Sequence, residues 1–456
     1  MVAFGHRAKS GGRWRSGAQL NRGESTLHLN LFIFGCGHHR AAWRHPASAV
    51  ERLGDISYYE ELARTAERGK LDAIFFADGA SVSHIEDGPR WFLEPLTALA
   101  AISRATERIG LISTVSSTFY TPFHAARLLA SLDHISGGRV GWNVVTSMFD
   151  AEARNHGYEA MPPHAWRYRR AEEFIDVVLR LWDSWGDDAI VLDRAHGIYA
   201  APDRVNAIHH HGAHFLVDGP LTVPRPPQGH PVLFQAGASA EGRDLAARRA
   251  EAIYAVAYDL PAAQSYYRDI KRRVREAGRA DPVPIMPGLV TYIGSTEAEA
   301  RSRQRELDEL LPREASLRQL GTYVEQDCMA WDLDAPVPPL PPLSAFEGPK
   351  GRYATILRIV EVERPTVRQL LGRLAAGGGH CTMVGTPEQI ADQMEYWTSH
   401  EGADGFNLMP PTLPGGIEDF VDHVIPVLRK RGLFRTEYEA DTLRGHLGLR
   451  RPSGHG

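Results

Sequence analysis

Eight short runs of aliphatic and aromatic residues recur along the chain, and helical periodicity fills most of the intervals between them. The runs are "LNLFIF" (29–34), "AIFFA" (73–77), "IGLIST" (109–114), "GWNVVT" (141–146), "PVLFQA" (231–236), "AIYAVA" (252–257), "PIMPGLVTYI" (284–293) and "GFNLMP" (405–410). Near-continuous apolar character, rather than strict alternation, predicts strands buried on both faces, as in a parallel sheet. Between them the spacing of apolar positions predicts helices over 57–69, 94–107, 122–135, 165–182, 241–250, 261–277 and 386–400. Eight strand–helix units is the number at which such a sheet closes on itself, so the expected fold is an α/β TIM (β/α)8 barrel.

The chain has 456 residues, well beyond the roughly 250 of a plain barrel, so long insertions are expected. One spans 183–230 and carries His209, His210, His211 and the Pro-rich "GPLTVPRPPQGHP". The other spans 304–385, is partly helical and contains "DAPVPPLPPLSAFEGPKGRY". Its proline content predicts an ordered path over the surface, in the position of a lid over the barrel mouth. One elaborated domain over 26–450 is expected, after an extension over 1–25. Arg7, Lys9, Arg13, Arg15 and Arg22 lie there without the apolar run of a secretory leader, so it reads as flexible or as a mis-assigned start.

Composition narrows the partners. With 43% hydrophobic and 23% charged residues the chain buries a large core, and its net charge of −5 gives no reason to expect nucleic acid or an acidic membrane surface. A small-molecule partner fits better. No stretch reaches the roughly 18 continuous apolar residues of a spanning helix. Cys36, Cys328 and Cys381 are far apart and form no CxxC pair, which argues against a disulfide framework and fits a reducing, cytoplasmic setting.

In a barrel of this kind the chemistry lies at the C-terminal strand ends. Here those ends are small and polar: "GCGHH" (Cys36, His38, His39), "DG" (Asp78), "STVSS" (Thr114), "NVVTS" (Asn143) and "AGAS" (Gly237, Ser239). After the fifth run, Gly237 allows close backbone approach and Ser239 stands at the N-cap of a helix, whose free amides and dipole suit a phosphate. Read from the turn alone, Ser239 is a plain N-cap. No GxGxxG follows the first run, so a phosphate here belongs to a mononucleotide rather than a dinucleotide. His164 and Tyr168 of "HAWRYRRAEEF" are four residues apart and share a helical face. That helix also reads as simply amphipathic, with Trp166, Phe174 and Val178 in the core.

The stretch "EPLTALAAISRATERIGLISTVSSTFYTPFHAARLLASLDHISGGRVGWNVVTS" (94–147), with "ARNHGY", "RYRRAEEF", "LWDSW", "FQAGASAEGRD" and "GTPEQIADQM" after it, resembles the bacterial-luciferase-like flavin monooxygenases. The branch it resembles holds the nitrilotriacetate, EDTA and dibenzothiophene-sulfone monooxygenases. The resemblance implies a barrel that takes FMN as FMNH2 from a separate NAD(P)H:flavin reductase and uses O2 to put one oxygen atom into a small organic substrate. It implies a homo-oligomer, dimer or tetramer. By motif, Asp78, Thr114 and Asn143 would lie at the flavin ring, and His164, Tyr168 and Ser239 would hold its phosphate. His38 or His39 would donate or accept a proton near the reacting oxygen, with Cys36 beside them or buried and inert. The first strand end departs from the family spacing, which leaves open which histidine faces inward. Water must be kept out, so the 304–385 insertion and the 79–93 loop, with Trp91 and Phe92, are the expected covers.

Three other readings stand beside this one. A metal-dependent barrel hydrolase would use His38, His39, Asp78 and the histidines at 209–211, but "GCGHH" lacks the HxH spacing of such sites; no metal is expected. A deazaflavin- or flavin-dependent oxidoreductase shares the fold. A non-catalytic flavin-binding paralogue would keep the fold without the reaction.

Overall fold

The computed structural model describes residues 26–82, 84–89, 93–346 and 350–454. The expected extension over 1–25, and Trp91 and Phe92 of the expected cover, lie outside the described residues.

All eight apolar runs become strands of one parallel barrel. The sheet comprises β1 (His28–Ile33), β2 (Ala73–Phe76), β3 (Gly110–Ser116), β4 (Val140–Val145), β5 (Val232–Gln235), β6 (Ala252–Ala255), β7 (Ile285–Ile293), β8 (Cys381–Gly385) and β9 (Gly405–Leu408). Strands β1 to β7 pair in chain order, β7 pairs with β9, and β9 closes on β1 with Leu29 opposite Phe406 and Asn30 opposite Asn407. Strands β2, β3, β5 and β7 are buried along their whole length, because helices cover the outside and side chains fill the inside.

The helices are α1 (Ile56–Arg68), α2 (Pro95–Ala105), α3 (Pro122–Ser136), α4 (Asp150–Asn155), α5 (His164–Trp182), α6 (Ala240–Arg249), α7 (Leu260–Glu276), α8 (Glu297–Glu309), α9 (Arg313–Val324), α10 (Lys350–Glu363), α11 (Val367–Ala375) and α12 (Pro387–Ser399), followed by helical turns to Lys430. Their starts are written locally. Thr386 accepts from the Gln389 amide while the Gln389 side chain accepts from the Thr386 amide, with Pro387 in the first turn of α12. Apolar faces then dock on the barrel: Trp142 of β4 meets Phe174 and Trp182 of α5 at ring separations of 5.8 and 6.1 Å.

The N-terminal end of the barrel is plugged by the chain's own C-terminal segment. Leu443, Leu447 and Leu449 pack with Ala73, Ile112 and Val232 inside the barrel. Gly110 and Gly141 make room: a Cβ on either would lie 2.5 or 3.0 Å from a Leu443 methyl. Arg444 seals the rim through a bidentate pair with Glu251 at 2.6 and 2.9 Å.

The two insertions differ. Residues 183–230 form two small hairpins, Ile190–Asp193 with Ile198–Ala200 and His210–His211 with Leu216–Val217. Residues 304–385 build a helical unit with its own core, including Leu317, Leu320, Tyr353, Ile356 and Leu370. The insertion also contributes β8, where the sequence pattern indicated no strand. Strand β7 outruns the barrel: Gly288 and Leu289 pair with β9, and Leu289–Ile293 pair with β8.

Candidate active site

Strand alternation turns Phe32, Phe75, Thr114, Asn143 and Tyr254 toward the barrel axis. Phe32 is the hub of the apolar floor, with ring centroids 4.7 Å from Phe75 and 5.8 Å from Tyr254. Beside it lies a polar pair. Thr114 Oγ1 donates to the Phe76 carbonyl at 2.9 Å and accepts from Asn143 Nδ2 at 2.9 Å. Asn143 is buried, and its Oδ1 has no hydrogen-bond partner among the described residues. An orphan acceptor inside a barrel is costly unless a ligand's N–H or O–H completes it.

The turn after β5 meets the start of α5. Ser239 Oγ accepts from the Gly242 amide at 3.1 Å, capping α6, and lies 3.5 Å from the Tyr168 hydroxyl. The His164 ring is 4.7 Å from the Tyr168 ring. Gly237 and Gly242 touch so closely that a Cβ on Gly242 would sit 2.8 Å from Gly237 Cα and 3.0 Å from the Tyr168 hydroxyl. His164, Tyr168 and Ser239 are thus brought together around a helix N-terminus. Two charged groups at this turn escaped the sequence reading. Glu241 Oε2 is 3.9 Å from His164 Nδ1, and Arg243 donates to the Ala238 carbonyl at 3.0 Å. Arg243 also donates to Asp269 at 3.1 Å, so its charge is already paired.

At the end of β1 the three candidates separate. His38 turns inward, 4.5 Å from Phe32 between ring centroids, and its Nε2 donates to the Phe32 carbonyl at 3.0 Å. Burial lowers its pKa to about 4, so the ring is neutral with Nδ1 as a bare acceptor. His39 turns outward: Nδ1 accepts from the Ala41 amide at 3.1 Å and Nε2 donates to Asp308 of α8 at 3.1 Å. Cys36 is buried in the layer between barrel and helices, with Tyr58 and Leu53 in the same core, and burial raises its thiol against the opposing pull of Ser48. His39 and Cys36 therefore do not face the barrel mouth, because the turn that aims His38 inward carries its neighbours to the other side.

Asp78 stands at the rim of β2, half-buried, accepting from the Gly79 amide at 2.9 Å. Burial raises its carboxyl, and Glu94 and Glu152 add to the rise. The two expected covers approach each other here: Asp87 of the 79–93 loop lies 3.9 Å from Arg40 and 3.9 Å from Arg318 of α9. The histidines at 209–211 do not converge, since His210 bonds Glu173 at 3.0 Å while His209 faces Asp218 at 3.5 Å.

Two mouth residues went unnoticed in the sequence. Tyr254 of β6 and His380, just before β8, are joined at 3.0 Å through Oη and Nε2. His380 follows three glycines, Gly377, Gly378 and Gly379, all with positive φ, a backbone path open to glycine. No strand-end motif marks it.

A cleft of about 780 Å³ lies away from the mouth, lined by Glu297, Arg301, Asp308, Glu363 and Arg373. Its solvated charges lack the apolar walls of a small-molecule site.

A (β/α)8 barrel with an apolar floor, an orphan acceptor and an amide-rich turn at its C-terminal rim is an enzyme scaffold open to an anionic coenzyme. The luciferase-like monooxygenase family matches residues 31–404. Component A of nitrilotriacetate monooxygenase from Aminobacter aminovorans is 45% identical over 93% of this chain and 97% of its own. Dibenzothiophene-sulfone monooxygenase from Rhodococcus erythropolis (strain XP) is 40% identical, covering 94% and 98%. The structure of EDTA monooxygenase from Chelativorans sp. BNC1 superposes with a TM-score of 0.79 at 35% identity, covering 94% of this chain and all of that one. The chain belongs to the luciferase-like monooxygenases. It is a flavin-dependent monooxygenase of the two-component type, working with FMNH2 and O2.

Proposed function

We propose that reduced FMN lies across the barrel mouth, its phosphate on the turn formed by His164, Tyr168 and Ser239 and its ring against Thr114, Asn143 and Asp78. The observation that carries this reading is the meeting of Ser239 and Tyr168, 71 residues apart in sequence, at the N-terminus of α6. Asn143 Oδ1 would accept from a ring N–H. Bound reduced FMN supplies the electrons with which O2 is split, one oxygen atom going to the substrate and the other leaving as water.

The protein's own work is to position and to exclude. Phe32, Phe75 and the 304–385 unit keep water from the floor. His38 is the histidine we place at the reaction, as a neutral base with Nδ1 free; His39 and Cys36 support the fold around it. The substrate is a small organic molecule, and the reduced flavin comes from an NAD(P)H:flavin reductase acting as a separate partner. A cytoplasmic homo-oligomer fits two features. The three cysteines form no disulfide, and the hairpin at 190–200 exposes Val191, Leu192, Ile198 and Tyr199. No helix among the described residues is long and apolar enough to cross a membrane.

The test is a titration of the purified chain with oxidised and reduced FMN, followed by turnover assays with and without added reductase. Tighter binding of the reduced form, no NADH oxidation by the chain alone, and a product heavier by one oxygen are expected. Robust NADH turnover without reductase would defeat the two-component reading.

A further inference from the structure

The Tyr254–His380 pair is built with unusual care for residues outside the six placed at the cofactor. His380 is nine-tenths buried, its Nε2 meets Tyr254 Oη at 3.0 Å, and its Nδ1 has no partner among the described residues. The ring lies against Gly288 of β7, where a Cβ would sit 2.4 Å from Nδ1. Only a glycine at that position leaves room for the imidazole. Tyr254 Oη also lies 3.4 Å from Met409 Sδ.

Two proton arrangements are open to this pair. In one, Tyr254 donates to Nε2, and Nδ1–H is left as a buried donor with no acceptor. In the other, Nε2–H donates to Tyr254 Oη, Nδ1 keeps a bare lone pair over Gly288, and the phenol O–H is free to point at Met409 or at a ligand. Orphaned buried N–H groups are rarer and costlier than orphaned acceptors, and thioether sulfur is only a weak acceptor. The second arrangement therefore prevails, and it leaves the phenol as a donor in search of an oxygen. Burial keeps both members neutral, His380 held down to about 3 and the Tyr254 phenol pushed up.

Tyr254 and His38 flank the same ring, their centroids 5.8 and 4.5 Å from Phe32. One presents an O–H and the other a bare nitrogen. We propose that Tyr254 is a second catalytic residue, donating a hydrogen bond to the oxygen held in the mouth during the reaction, and that His380 is the positioning residue that aims its O–H. This rests on the flavin placement proposed above. The phenol keeps its proton throughout; its effect is to hold the oxygen in the dry pocket and slow its loss as H2O2.

The first experiment needs no cofactor. Nitrogen NMR of the histidine-labelled apoprotein, with His380→Gln to assign the signal, is expected to show His380 neutral and protonated at Nε2. A proton on Nδ1 instead would overturn the proposal, because Tyr254 would then be spent on His380. The second mixes anaerobic protein–FMNH2 with O2 in the absence of substrate and follows the return of oxidised-flavin absorbance alongside H2O2. Tyr254→Phe and His380→Leu are expected to speed that return about tenfold, as loss of one hydrogen bond would. His380→Gln, which restores an N–H near the Nε2 position, is expected to stay close to wild type, and FMN affinity should be equal in all four proteins. A Tyr254→Phe rate equal to wild type, or equal impairment by Leu and Gln at 380, defeats this proposal alone. A wild-type chain that fails to bind FMNH2 defeats the parent reading with it.

Discussion

The hydroxyl of Tyr168 lies 3.5 Å from that of Ser239, joining the second turn of α5 to the N-cap of α6 across the barrel rim. Each residue has a bland local explanation, one as a helical surface tyrosine and the other as an N-cap. Their convergence needs the barrel, which sets the strand ends side by side and turns both helix starts toward one point. Ser239 accepts from the Gly242 amide and donates to the Tyr168 hydroxyl across a long 3.5 Å contact, one that an anion's oxygen could replace.

Replacing Ser239 with Ala is expected to weaken FMN binding by roughly 1–2 kcal/mol, the range for a hydrogen bond to a charged group. Fluorescence titration with FMN and with riboflavin separates the causes. The loss should appear with FMN and vanish with riboflavin, which has no phosphate. An equal loss for both would move Ser239 away from the phosphate.

Asn143 gives a prediction of opposite character for stability and for binding. Its Oδ1 has no partner among the described residues, so Asn143→Leu removes a buried acceptor that none of them satisfies. Thr114 keeps its bond to the Phe76 carbonyl. The apoprotein should lose less than about 1 kcal/mol in denaturant unfolding, while FMN affinity falls about tenfold. A large stability loss with intact FMN binding would show that Asn143 serves the barrel and not the coenzyme.

The barrel strands were legible because each is buried on both faces and so reads as an unbroken apolar run. Strand β8 was not, for a physical reason. Its residues Cys381–Gly385 alternate between buried and half-buried, with Thr382 and Val384 toward the polar cleft, and it exists only because β7 outruns the barrel to offer it an edge. His380 escaped notice for the same cause, since its place at the mouth depends on β8 and on three glycines rather than on any strand end. The choice between His38 and His39 lay in which partner each finds, the Phe32 carbonyl or Asp308, and adjacent residues in one motif carry no sign of that. The phosphate turn, by contrast, was legible in its Gly and N-cap Ser, because helix starts are encoded locally.

The C-terminal plug makes a stability prediction far from the mouth. Leu443 is fully buried and fills the space that Gly110 and Gly141 leave. Leu443→Ala should cost about 2–5 kcal/mol by opening a cavity there, measured by urea unfolding, with FMN affinity of the folded protein unchanged. A cost near zero would mean that the barrel end is closed by other groups.

Acid should destabilise the protein through its two neutral mouth histidines. Burial lowers His38 to about 4 and His380 to about 3, from an ordinary value of 6.5. Below the ordinary value the unfolded chain takes up protons that the folded chain refuses, so each histidine contributes stability that is present at neutral pH and lost as pH falls toward its folded pKa. Asp133 works against them. Burial raises it to about 6, so the folded chain holds a proton there that the unfolded chain has released, and stability from this group grows as pH falls through that value. A comparison of wild type with His380→Gln cancels Asp133, while His38, whose charge acts on His380, adds to the difference in the same direction. Between neutral pH and about pH 4, unfolding free energy of the wild type should fall more steeply than that of the variant, by up to about 1.4 kcal/mol per pH unit for the one proton removed. Equal slopes would mean that His380 is reached by solvent and titrates normally, and the dry mouth inferred from its burial would then be wrong.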